Sequence, residues 1–169
     1  MSAPATGSWR LAGLGLAIAA LSFGLDQTFK WWMLGPFDIA ARQPVAVTGF
    51  LDLVLVWNRG ISYGLFASHE QAVRWGLIAL ALAVSAGLAL WLLRARSLRL
   101  AAGLGLVIGG ALANMADRVV HAAVADFFLF HAAGWSWYVF NLADCAIVAG
   151  VALLLYDSFR DDGQQPAVG

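Results

Sequence analysis

Long apolar stretches, broken by short polar or aromatic segments, set the rhythm of this chain. Four of them, over residues 11–29, 72–93, 100–116 and 137–156, approach the roughly 20 residues that a helix needs to cross a bilayer core. The connection over 31–71 has a different pattern. There Val45-Ala-Val-Thr-Gly-Phe-Leu-Asp-Leu-Val-Leu-Val-Trp57 is β-rich and partly alternating, bounded by Pro44 and Asn58-Arg-Gly60, which predicts a small sheet resting on the membrane surface. A shorter connection carries His121, His131 and bulky apolar residues around Asp126; its amphipathic make-up predicts a segment lying flat at the interface as a lid. The pattern therefore predicts an all-α membrane protein, a four-transmembrane-helix bundle with a small β-rich extracytoplasmic subdomain. Residues 1–169 are expected to form one integral membrane domain.

Composition agrees with that class and narrows it. With 62% hydrophobic and 12% charged residues among 169, a conventional soluble domain is excluded. No small-residue cleavage site separates the first span from Asp26, so that span is expected to remain as a helix. The zero formal net charge gives no footprint for nucleic acid. The single cysteine, Cys145, falls in the fourth span and is expected to be buried there, with no intrachain disulfide possible. Arg94, Arg96 and Arg99 lie in a short hairpin between the second and third spans, and short basic loops stay cytoplasmic. Both termini are then cytoplasmic and both longer connections lie outside. Trp31, Trp32, Trp135 and Trp137 fall at the outer ends of spans, as an aromatic belt requires.

That topology gathers polar residues at one level. Asp26, Lys30, Asn114, Asp117, Arg118, Asn141 and Asp144 all fall toward the outer ends of their spans. If the fourth helix starts at Trp137, Asp144 lies about 10 Å inside it. Asp126 follows the third span closely enough to fold back over the same spot. A carboxylate in hydrocarbon is costly and marks function; two that meet share protons and suit acid–base work. Asp26 and Lys30 are spaced i, i+4 with the acid first, the favourable order for a helical ion pair. Asp117 and Arg118 are expected to order a helix end. Asn114 and Asn141 equally suit interhelical hydrogen bonds. Gly103, Gly105, Gly109 and Gly110, with Ala111 and Ala113, give the third span a small-residue face for close packing.

Other chemistries fit less well. Gly60-Ile-Ser-Tyr-Gly64 matches the letters of a nucleophile elbow without its strand–turn–helix setting or partner order. His69, His121 and His131 lack the spacing of a metalloprotease, so no metal and no cofactor are expected. The Gly103-Leu-Gly105 stretch continues into helix rather than cradling phosphate. Cys145 beside Asp144 is read as packing, because a thiol in hydrocarbon is normally inert.

The blocks Asp26-Gln-Thr-Phe-Lys30, Asn58-Arg-Gly60, Gly109-Gly-Ala-Leu-Ala-Asn-Met-Ala-Asp-Arg118, Val124-Ala-Asp-Phe127 and Phe140-Asn-Leu-Ala-Asp144 together resemble the bacterial lipoprotein signal peptidases (signal peptidase II). The likeness runs in order along almost the whole chain. It implies an aspartyl endopeptidase of the inner membrane, which cuts prolipoproteins just before a diacylglyceryl-modified cysteine. By that resemblance Asp126 and Asp144 are the catalytic pair. Asn58, Gly60, Asn114, Arg118 and Asn141 line or support the substrate site, while Asp26, Lys30 and Asp117 are structural polar residues. Two departures are visible: Ile61-Ser62 stands where many members carry an Ala-Ala pair, and Cys145 where serine is frequent.

The resemblance also implies a prolipoprotein substrate; the topology places the site toward the periplasmic side among membrane lipids, and nothing in the sequence requires more than a monomer. Two nearby carboxylates should share one proton near neutral pH; the ionised one activates water and the other polarises the scissile carbonyl. A rival reading is a small ion- or proton-coupled carrier, since intramembrane acids also build ion pathways. It predicts an acid in the cytoplasmic half of a span and an internal repeat, and the sequence has neither. A scaffold subunit whose aspartates meet a partner's basic residues is the third reading.

Overall fold

The computed structural model describes residues 6–60 and 71–162. His69 and most of Gly60-Ile-Ser-Tyr-Gly64 lie outside the described residues. Five helices and four strands follow one another as α1 (Thr6–Leu34), α2 (Ile39–Arg42), β1 (Val45–Thr48), β2 (Leu51–Asn58), α3 (Gln71–Leu92), α4 (Leu98–His121), β3 (Val124–Ala132), β4 (Trp135–Ser136) and α5 (Leu142–Asp162). Helices α1, α3, α4 and α5 are long and apolar enough to cross a membrane, so the expected four-helix bundle with a small sheet is the fold.

Helix α4 is the centre of the bundle, and its small residues explain why. Gly105 and Gly109 face the backbone carbonyls of Gly15 and Ala19 on α1 so closely that a Cβ at either would collide. A Cβ at Gly103 would stand 3.0 Å from the carbonyl oxygen of Gly150, and one at Gly110 2.5 Å from that of Ala143, both on α5. Small side chains thus let three backbones approach where lipid supplies little hydrophobic drive for association. At the end of the bundle holding the α3–α4 connection, Ala12, Ala19, Leu92, Ala95, Ala101, Leu104 and Ile108 form a buried cluster. Ser97 caps α4 there by accepting from Leu100 N at 2.9 Å. It also donates to Asp157 of α5, which pairs with Arg99 at 3.0 Å.

The sheet sits at the other end, in the antiparallel order β1-β2-β3-β4. Met33, Ile39, Ala125 and Phe127 form a second buried cluster beneath it, joined by Phe29, Leu53 and Leu55. This corrects the expectation of a flat interfacial segment before the fourth helix. Val124–Ala132 is strand β3, paired with β2 along its length, because its backbone groups find ladder partners there that a lone interfacial segment lacks.

The start of the last helix is also corrected. Trp137 N donates to Phe130 O and Phe140 N to Phe128 O, so residues 137–140 run along the sheet and α5 begins only at Leu142. Asp144 therefore sits in the first helical turn rather than about 10 Å inside. Cys145, expected to be buried, lies exposed on the outer surface of α5.

Candidate active site

Asp126 is carried by β3 and Asp144 by the first turn of α5. In the β2–β3 register Val56 faces Asp126 and Asn58 faces Val124. Asn58 is thus the diagonal neighbour of Asp126 on the same face, and its Nδ2 donates to Asp126 Oδ2 at 3.1 Å. The other oxygen, Oδ1, accepts from Asn141 Nδ2 at 2.6 Å.

Asn141 also starts α5. Its Oδ1 accepts from Asp144 N at 2.9 Å, and Asp144 Oδ2 accepts in return from Asn141 N at 3.2 Å. That reciprocal pair is a capping box, which satisfies two otherwise orphaned backbone donors. It fixes Asp144 to the helix start and leaves Oδ1 to accept from Asn114 Nδ2 on α4 at 2.9 Å. One residue, Asn141, therefore contacts both carboxylates.

Behind this layer stands a buried ion cluster. Lys30 Nζ lies 2.7 Å from Asp26 Oδ2 and 2.7 Å from Asp117 Oδ2, with all three side chains almost wholly enclosed. The expected i, i+4 pair is present, but as a buried triad and not as a snorkelling surface pair. Asp117 turns its carboxylate inward to Lys30 and also accepts from Ala125 N at 3.1 Å, just past the end of α4. Arg118, its neighbour, sends Nη1 to Asn114 O at 3.1 Å and Nη2 to Gly60 O at 2.6 Å, tying β2's end to α4. Gln27, which sequence reasoning did not single out, donates to Asp117 Oδ1 at 2.9 Å and to Asp26 Oδ2 at 3.2 Å. Its place between Asp26 and Lys30 in one block was the available signal.

Asn58, Asn114, Arg118, Asp126 and Asp144, with Tyr138 and Val139, line one cavity of about 170 Å³. Asp144 also borders a second, larger groove of about 410 Å³, walled by Phe130, Trp137 and Phe140 and floored by Val148, Ala149 and Ala152 of α5. A small polar chamber thus shares Tyr138 and Asp144 with an apolar groove along the helix. Burial, and then the nearby charge of Asp144, push the Asp126 carboxyl up to about 7, against the hydrogen bonds from Asn58 and Asn141 and the charge of Lys30. Of the site residues expected from the sequence, Asn58, Asn114, Arg118, Asp126 and Asp144 line the cavity; Asn141, Asp26, Lys30 and Asp117 are buried behind it, and Gly60 is tied in by its carbonyl, which accepts from Arg118 Nη2.

The description "Signal peptidase (SPase) II" belongs to a family model that matches residues 18–160. The chain belongs to the signal peptidase II family. Its similarity to family members is high: it is 52% identical over 154 residues to a lipoprotein signal peptidase of Methylobacterium sp. (strain 4-46), covering 91% of this chain and 93% of that protein. The lipoprotein signal peptidase of Methylocella silvestris is 51% identical over 145 residues, covering 86% and 85%. A bacterial membrane enzyme solved by the in meso method at 2.3 Å superposes with a TM-score of 0.79 at 22% identity, covering 93% of this chain and 94% of that one. That likeness speaks for the fold. Membership of an aspartic peptidase family makes this signal peptidase II a membrane enzyme and disfavours the carrier reading.

Proposed function

We propose that Asp126 and Asp144 are the catalytic pair of this signal peptidase II, and that its substrate is a diacylglyceryl-modified prolipoprotein cut just before the lipidated cysteine. The observation that carries the reading is the shared cavity: two carboxylates from separate elements, bridged by Asn141, face one polar chamber. The pair shares one proton near neutral pH, since burial and the charge of Asp144 raise the Asp126 carboxyl to about 7. The ionised member takes a proton from water as the water oxygen bonds to the scissile carbonyl carbon, and the protonated member donates to the carbonyl oxygen. As the C–N bond breaks, a proton passes to the departing amine, and the dyad returns to its singly protonated state.

Asn58, Asn114 and Asn141 hold the carboxylates, and Arg118 and the Gly60 carbonyl support the substrate side of the chamber. The apolar groove beside Asp144 suits the substrate's acyl chains, each buried CH₂ contributing about 0.8 kcal/mol. Orientation follows from charge: the arginine-rich α3–α4 connection and both termini face the cytoplasm, and the sheet and site face the periplasm. Membrane lipids surround the bundle, and the chain works as a monomer.

The test is cleavage of a diacylglyceryl-modified prolipoprotein by purified protein, beside the unlipidated precursor and the Asp126→Asn and Asp144→Asn variants. Cleavage before the lipidated cysteine, lost in both variants and poor on the unlipidated form, is expected. Activity surviving either substitution would discard the dyad.

A further inference from the structure

Each aspartate of the proposed pair is preceded by a residue whose backbone N–H is held from the same buried cluster. Ala143 N, just before Asp144, donates to Asp26 Oδ1 at 2.9 Å. Ala125 N, just before Asp126, donates to Asp117 Oδ2 at 3.1 Å. Asp26 and Asp117 come from different helices and would repel each other; what joins them is Lys30, 2.7 Å from an oxygen of each. The third proton of its ammonium points to Asn114 Oδ1, at 3.4 Å. An ammonium has three donors and no acceptor, so all three are accounted for.

That third contact has a directional effect. The two ends of an asparagine amide are alike in shape and are sorted by what they face. Lys30 Nζ and Asn141 Nδ2, at 3.1 Å, both present donors to Asn114 Oδ1. The amide nitrogen must therefore turn the other way, to Asp144 Oδ1 at 2.9 Å.

We propose that Lys30 is a positioning residue for peptide hydrolysis: through Asp26, Asp117 and Asn114 it sets the spacing and orientation of Asp126 and Asp144. Asp26, Lys30 and Asp117 are not among the residues lining the cavity, so Lys30 acts through these intermediaries and through the reach of its charge. The inference rests on the dyad reading above. A set of carboxylates misplaced by about 1 Å loses on the order of 100-fold in rate, which sets the size of the effect.

The experiment measures kcat, KM and the pH profile of Lys30→Met and Lys30→Arg on the lipidated precursor, with thermal unfolding in detergent as the check on folding. For folded Lys30→Met, kcat is expected to fall about 100-fold while KM stays within about threefold. The acid limb of its kcat profile should also move to higher pH, because a cation that favours the ionised dyad is gone. Lys30→Arg keeps the charge, but a planar guanidinium fork cannot meet three acceptors around one point. Its kcat should drop about tenfold, with the acid limb unmoved. Should Lys30→Met not fold, Lys30→Arg decides alone. Wild-type kcat in either folded variant, or a loss confined to KM, overturns the inference. Wild-type protein that fails to cleave overturns the dyad reading instead.

Discussion

Replacing Asp126 by asparagine should abolish cleavage and, at alkaline pH, make the protein more stable. Asp126 is 2% exposed, and its carboxyl titrates at about 7 rather than the ordinary 3.8. The folded state therefore keeps a proton over a range in which the unfolded chain has lost it. Stability contributed by this group is present in full below pH 4, declines as pH rises, and is gone above about 7. Each tenfold step in proton affinity is worth about 1.4 kcal/mol, so the climb to about 7 amounts to roughly 4 kcal/mol. Asparagine has no such proton to lose. Its amide presents one acceptor to the two donors of Asn58 and Asn141, which costs on the order of 1–3 kcal/mol at every pH. The informative quantity is thus the difference between variant and wild type as a function of pH, in which every titration not coupled to Asp126 cancels. Thermal unfolding in detergent from pH 4.5 to 8.5 should show the gap turning in the variant's favour by about 3–4 kcal/mol, roughly 10 °C. Parallel curves for the two proteins would refute the claim that Asp126 is a buried, proton-retaining acid.

Asp144→Asn should lower cleavage by at least about 1,000-fold and cost about 1–3 kcal/mol of stability, since the amide oxygen can still close the cap with Asn141 N but its nitrogen then faces Asn114 Nδ2; complete loss of folding would show that capping, not chemistry, dominates this residue. Gly110→Ala drives a methyl against Ala143 O, 2.5 Å away. It should cost about 1–3 kcal/mol and reduce kcat by displacing α5; an unchanged melting temperature and rate would contradict the packing described. Cys145→Ser should keep activity within about threefold of wild type, because Cys145 is exposed on the wall of the apolar groove and does not line the polar chamber; an inactive serine variant would reopen nucleophilic catalysis. A chelator should leave the rate unchanged, because two carboxylates sharing a proton suffice for the chemistry.

The first three membrane helices were legible because apolar length alone identifies a span. Their small-residue faces were legible for the same kind of reason: Gly105 and Gly109 have no other use in an apolar helix than close approach. The start of the fourth helix was not. Trp137, Tyr138 and Phe140 are as apolar as lipid-facing residues but run along the sheet, and hydropathy cannot tell the two settings apart. The local signal that does so is Asn141-Leu-Ala-Asp144, a polar residue followed three positions later by an acid. Strand β3 was obscured because its first residues are buried on both faces, so the alternation that marks a half-buried strand is missing. In the candidate site, Asp26 and Lys30 could be paired from spacing on one helix. Asp117 could not be joined to them, since that contact exists only once α1 and α4 are packed.

The capping box of α5 acts as a ruler for chain length. A helix turns 100° and rises 1.5 Å per residue, so one residue inserted between Asn141 and Asp144 would break both reciprocal bonds and swing the carboxylate off the chamber. One residue inserted into the Ala133-Gly134 turn, where both positions already take left-handed backbone, would lengthen only the β3–β4 hairpin. Insertions and deletions should thus be tolerated in the Ala133-Gly134 turn, and forbidden in β3, whose register sets Asp126 beside Asn58, and between Asn141 and Asp144.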